Sequence, residues 1–78
     1  MGNSRKRSVR IAGHPTSVSL EPEFWVQLKR LTALQGMSLN ALVTEIDAGR
    51  QGALSSALRL YVLAALEAEV AGLSASGS

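Results

Sequence analysis

Only one stretch of this chain alternates as a half-buried strand should. Thr16, Val18 and Leu20 fall on one side and Ser17 and Ser19 on the other. A lone strand leaves backbone donors and acceptors unpaired on both edges, and no second strand of comparable quality follows it. Val9, Arg10 and Ile11 alternate briefly upstream before Gly13-His14-Pro15 interrupts. A hairpin between residues 9–11 and 16–20 would therefore meet part of the need. A second copy of the chain meets it better, because two copies about a twofold axis can pair residues 16–20 antiparallel. The apolar face of that ribbon would rest on the helices of both copies. One short strand per chain and an intertwined homodimer are the expectation.

The remainder has helical spacing. Glu21-Pro22-Glu23 is a helix start, since proline suits the first helical position and carboxylates favour the positive end of the helix dipole. Phe24, Leu28, Leu31 and Leu34 then repeat along one face with Trp25 beside them, and Gly36 ends the helix. Ser38 is placed to cap a second helix carrying Leu39, Leu42, Val43 and Ile46, which Gly49-Arg50-Gln51-Gly52 breaks. A third helix is expected over residues 54–72. Its Leu58, Tyr61, Val62, Ala65 and Leu66 form one apolar strip, and Leu60, Leu63 and Ala64 form a second beside it. No internal repeat is evident.

At 78 residues the chain holds one small domain, expected over residues 9–72 with a disordered tail at 73–78. It has no cysteine, and His14 and six scattered carboxylates offer no metal cluster, so oligomerisation is the remaining route to stability. No metal or cofactor is expected. Catalysis is not expected either: a triad would need His14, which stands beside a turn proline, to meet a serine and an orienting carboxylate in a pocket, and a domain this small has little room for one. Gly36, Gly49 and Gly52 lack the spacing and lysine of a phosphate-cradling loop. No apolar run is long enough to cross a bilayer, and the basic start lacks an apolar segment behind it, which predicts a cytoplasmic chain.

Charge is laid out unevenly. Arg5, Lys6, Arg7 and Arg10 supply four of the eight cations within the first ten residues, ahead of a body that is slightly acidic. Residues 1–8 lack apolar periodicity and read as a flexible basic arm, the electrostatic footprint of a polyanion such as nucleic acid.

The alternating TSVSL, the helix start EPEFW, a first helix ending at glycine and the step Gly36, Ser38, Asn40 together resemble the ribbon-helix-helix family of DNA-binding proteins, the Arc and MetJ type. The resemblance covers about residues 15–48, and the chain is most similar to a short bacterial subgroup with an added C-terminal helix. It implies a mainly α fold in which a dimeric ribbon enters the major groove of double-stranded DNA. Outward strand residues Ser17 and Ser19 would contact bases, with Pro15 next in line. A bulge at residues 13–15 would bring Arg10 onto their face. Phosphates would be held by the basic arm (Arg5, Lys6, Arg7) and by the start of the second helix (Ser38, Leu39, Asn40). The subunit interface would comprise Thr16, Val18, Leu20, Phe24, Trp25, Leu42, Val43, Ile46 and Leu58. One departure stands out. The family commonly carries Arg, Lys, Gln or Asn where this chain has short hydroxyls, which discriminate poorly between bases. The resemblance implies a transcriptional regulator associated with the nucleoid. The apolar third helix supports an alternative, an antitoxin-like or co-regulatory module that uses this helix for higher assembly or for a protein partner.

Overall fold

The structure, a computed structural model, describes residues 5–76. Two strands, β1 (Arg5–Ile11) and β2 (His14–Leu20), precede three helices, α1 (Pro22–Gln35), α2 (Leu39–Gly49) and α3 (Leu54–Ser76). The strands form a two-stranded antiparallel sheet within one chain, with Ile11 opposite His14 and Arg5 opposite Leu20 at its two ends. This corrects the expectation of one strand, and of a flexible arm across residues 5–8; residues 1–4 lie outside the described residues. The physical reason is the connection. Ala12 and Gly13 both have positive φ (51° and 84°), the pattern of a two-residue type I′ turn whose twist suits a hairpin. β1 then pairs along its whole length with the strand that lacked a partner.

The helix boundaries follow local chemistry. Pro22 opens α1 with Glu23 in its first turn, and Gly36 closes it in the left-handed region at φ 67°. The amide of Gly36 donates to the carbonyl of Ala33 and that of Met37 to Thr32, the paired bonds that end a helix at glycine. Ser38 caps α2, its hydroxyl accepting from the amide of Ala41 at 3.1 Å. α3 continues to Ser76, past Gly72, so residues 73–76, expected in a disordered tail, are helical. An alanine-rich stretch lets the helix absorb the one glycine.

The core draws on every element: Val9, Val18 and Leu20 from the sheet, Trp25, Leu28 and Leu31 from α1, Leu42 and Val43 from α2, and Leu58 and Val62 from α3. On α1 the buried face is rotated from the expected one. Trp25, Leu28, Leu31 and Thr32 are buried, Phe24 is half-buried and Leu34 is exposed. Thr32 tolerates burial because its hydroxyl donates to the carbonyl of Lys29 at 2.8 Å. The indole N–H of Trp25 has no acceptor among the described residues, a cost of about 1–3 kcal/mol for a buried donor. Two ion pairs tie the helices together. Arg59 holds the Glu21 carboxylate through two bonds of 2.9 and 3.1 Å, and Arg30 holds Glu69 through bonds of 2.6 and 2.9 Å.

On α3 the first apolar strip is packed, with Leu58 and Val62 buried and Tyr61, Ala65 and Leu66 half-buried. The second is open: Leu60, Leu63 and Ala64 are exposed, as are residues 67–73. Of the nine residues expected at a subunit interface, Val18, Leu20, Trp25, Leu42, Val43 and Leu58 are already buried within one protomer, because β1 and α3 cover them. Thr16, Phe24 and Ile46 are half-buried.

Candidate nucleic-acid interface

Hairpin register decides which side chains share a face. Lys6 lies opposite Ser19, Ser8 opposite Ser17, and Arg10 opposite Pro15. Directly opposed residues project from the same side of an antiparallel pair. Lys6, Ser8, Arg10, Pro15, Ser17 and Ser19 therefore make up the outer face, all exposed except the half-buried Ser19. Arg10 reaches the face of Ser17 and Ser19 through the two-residue turn, so the bulge expected at residues 13–15 is not needed. Its guanidinium donates to the carbonyl of Gly13 at 3.3 Å and remains exposed. Ser8 is a member of this face that sequence reasoning missed.

Arg5 and Arg7 fall on the opposite face, in register with Leu20 and Val18. The Arg7 guanidinium sits 5.4 Å from the centre of the Trp25 ring, a cation–π contact that covers the buried indole. The three cations expected to act together at phosphates are thus divided, with Lys6 alone on the outer side.

The two edges of the sheet differ. The Arg10 amide donates to Asn40 Oδ1 at 3.0 Å, away from β2, and its opposite residue Pro15 has no amide hydrogen. Arg10 and Pro15 are therefore a non-hydrogen-bonded pair, and alternation makes Ser8–Ser17 and Lys6–Ser19 the same. Near the turn, α2 closes the β1 edge through Asn40, and Thr44 adds longer contacts to Ala12 and Arg10 at 3.4 and 3.5 Å. On β2 the amides and carbonyls of Ser17 and Ser19 face the open edge.

The start of α2 lies next to the outer face. With Ser38 occupied as the cap, the amides of Leu39 and Asn40 have no acceptor within the helix and stand at its positive end. Asn40 is doubly placed, since its carbonyl oxygen fastens β1 while its backbone belongs to the helix start. A depression of about 250 Å³, lined by Ser8, Val9, Arg10, Pro15 and Asn40, joins the ribbon face to this helix. An apolar cleft of about 240 Å³ lies elsewhere, between α1 and α3, lined by Glu23, Phe24, Gln27, Val62 and Leu66. Among the described residues, no cluster of three His, Cys, Asp or Glu is placed to hold a metal ion, and no helix is long and apolar enough to cross a membrane.

A hairpin leading into a proline-started helix, a glycine-terminated turn and a serine-capped second helix is the arrangement of a class of small DNA-binding domains. The chain belongs to the ribbon-helix-helix family: the family model described as a ribbon-helix-helix domain matches residues 4–66. That match takes in β1 and the first half of α3 as well as the central helices. No curated protein and no solved structure matches the chain. Proteins of this family are generally DNA-binding transcription regulators or antitoxins, typically non-enzymatic, and they generally dimerise.

Proposed function

We propose that this protein is a DNA-binding transcription regulator acting as a homodimer in the cytoplasm, associated with the nucleoid. Two copies pair antiparallel through the open edge of β2, where Ser17 and Ser19 hold unpaired backbone groups. The outer face then meets the major groove, with Ser17 and Ser19 toward base edges. The amides of Leu39 and Asn40 and the Ser38 cap meet a backbone phosphate on each side. The observation that carries this reading is the outer face itself: it is exposed, it holds Lys6 and Arg10 but no carboxylate, and it lies beside the free end of a helix. Recognition by serine hydroxyls is weakly discriminating, so most of the affinity comes from phosphates.

A second reading is favoured by a separate observation. Leu60 and Leu63 are 65% and 51% exposed, on a helix whose residues 67–73 are all exposed. An antitoxin-like module would use that surface for a protein partner, and the two roles are compatible. Mobility shifts of the full chain against genomic fragments at two salt concentrations, with sedimentation of the free protein, test the first reading. A dimer that retards DNA more weakly at high salt is expected. A stable monomer without DNA affinity would leave only the protein-partner reading.

A further inference from the structure

The family's ribbon has one strand from each copy, whereas this chain brings a second strand of its own. We infer that the protein meets DNA with a four-stranded sheet, ordered β1–β2–β2–β1 across two copies, whose inner strands face the bases and whose outer strands grip the phosphates. The inference rests on the dimer proposed above and adds to it a fixed phosphate-binding role for β1.

Three observations lead there. First, β1 is bonded to β2 along one edge and fastened by Asn40 along the other, so it is held as part of the sheet. Second, the edge of β2 that a second copy must use is the one β1 does not occupy, so pairing and hairpin are compatible. Third, the outward residues of β1 include the only two cations of the outer face among the described residues, Lys6 and Arg10, both exposed.

Spacing supplies the rest. Neighbouring strands lie about 4.8 Å apart, which puts the inner strands about 2.4 Å and the outer strands about 7 Å from the twofold axis. The major groove of B-DNA is about 12 Å wide, so its walls stand about 6 Å from the middle. Two strands fit between the walls and four do not. The outer strands must therefore lie over the phosphate ridges, where lysine and arginine complement the charge and where Ser8 can donate to a phosphate oxygen. Arg10, expected among the base-contacting residues, becomes a phosphate contact in this geometry.

The absence of cysteine from the sequence makes a clean test possible. Val9 and Thr16 face each other on the side of the sheet away from DNA, as a hydrogen-bonded pair whose Cα atoms stand about 5.5 Å apart, within reach of a disulfide. The full-length double variant Val9→Cys/Thr16→Cys, with its fold checked by circular dichroism and its intrachain bond verified by mass, is titrated with duplex DNA before and after reduction. Equal affinity in both forms is expected, since β1 stays paired in the complex. Loss of binding on oxidation with recovery on reduction would overturn the four-stranded sheet while leaving the dimeric ribbon standing. A companion variant, Lys6→Gln/Arg10→Gln, removes four phosphate contacts per dimer. Its slope of log affinity against log salt should be shallower by about 3 to 4, at about 0.9 per phosphate. Relative affinity for two unrelated duplexes should be unchanged, because phosphate contacts carry no sequence information. A changed preference would make these residues base readers, and an unchanged slope would remove β1 from the interface. A wild-type chain that neither dimerises nor binds DNA would overturn the underlying reading as well.

Discussion

Replacing Leu58 by alanine probes how α3 is docked. Leu58 is fully buried, on the helix that adds to the strand and two helices named by the fold, and it belongs to the same core as Leu20, Leu28 and Trp25. The substitution removes three carbons, worth about 2.4 kcal/mol at about 0.8 kcal/mol each. Incomplete collapse of the cavity raises the total to about 2.5–5 kcal/mol. A 78-residue chain has about 4–12 kcal/mol of stability in all, so the loss is a large fraction of it. Leu60, two residues along the same helix and 65% exposed, is the internal control, and Leu60→Ala should change stability by no more than about 0.5 kcal/mol. Urea unfolding of both variants at one fixed protein concentration gives the comparison, with circular dichroism as the signal. Equal losses for the two would mean that α3 presents a different face to the core, and the packing described above would be refuted.

Three other outcomes follow from local geometry. Ala12 holds a positive φ that costs an ordinary residue about 1–2 kcal/mol, and Ala12→Asn should recover roughly half to one kcal/mol, measured as a rise in the unfolding midpoint. Ser38→Ala removes the α2 cap and should cost about 1 kcal/mol, read in the same unfolding experiment. The Arg30 guanidinium, through its hydrogen bonds to the carboxylate, holds Glu69 below the usual carboxylate range and is itself raised. A lowered folded-state pKa means that this tie is fully present above the unfolded carboxylate pKa and is lost as pH falls through the folded value. Amide protection in the second half of α3, taken relative to the intrinsic exchange rate at each pH, should accordingly fall in acid in the wild type, and Glu69→Gln should remove that loss of protection.

Helix limits were legible in the sequence because single residues enforce them: Pro22 opens α1, Gly36 closes it, and Ser38 caps α2. Their signals are local, and so they survive into the structure. Strand β1 was hidden for two reasons. Its first four residues, Arg5, Lys6, Arg7 and Ser8, have no apolar member, and the turn after Ile11 is Ala-Gly where the strong signal for a type I′ turn is Asn-Gly. A clue was nevertheless present. Ser8-Val9-Arg10-Ile11 echoes Ser17-Val18-Ser19-Leu20, a likeness too short to stand out as a repeat. The face of Arg10 could not be read without the turn length, because one residue more or less in the turn reverses every side chain that precedes it. The rotated face of α1 was also hidden. Phe24 and Trp25 compete for the same core, and the larger ring takes it, with Arg7 from the unforeseen strand closing over the top.

The salt dependence of duplex binding by the full-length chain tests the DNA-binding ribbon most directly. The titration is run by fluorescence anisotropy on a labelled duplex at several salt concentrations. With Lys6 and Arg10 of each copy and the start of each α2 at phosphates, a dimer neutralises roughly four to eight charges, and log affinity should fall against log salt with a slope of about −4 to −7. At duplex concentrations well above the dissociation constant, saturation should fall at two chains per duplex. A slope near zero, or no binding at the lowest salt, would contradict the assignment of the outer face to DNA.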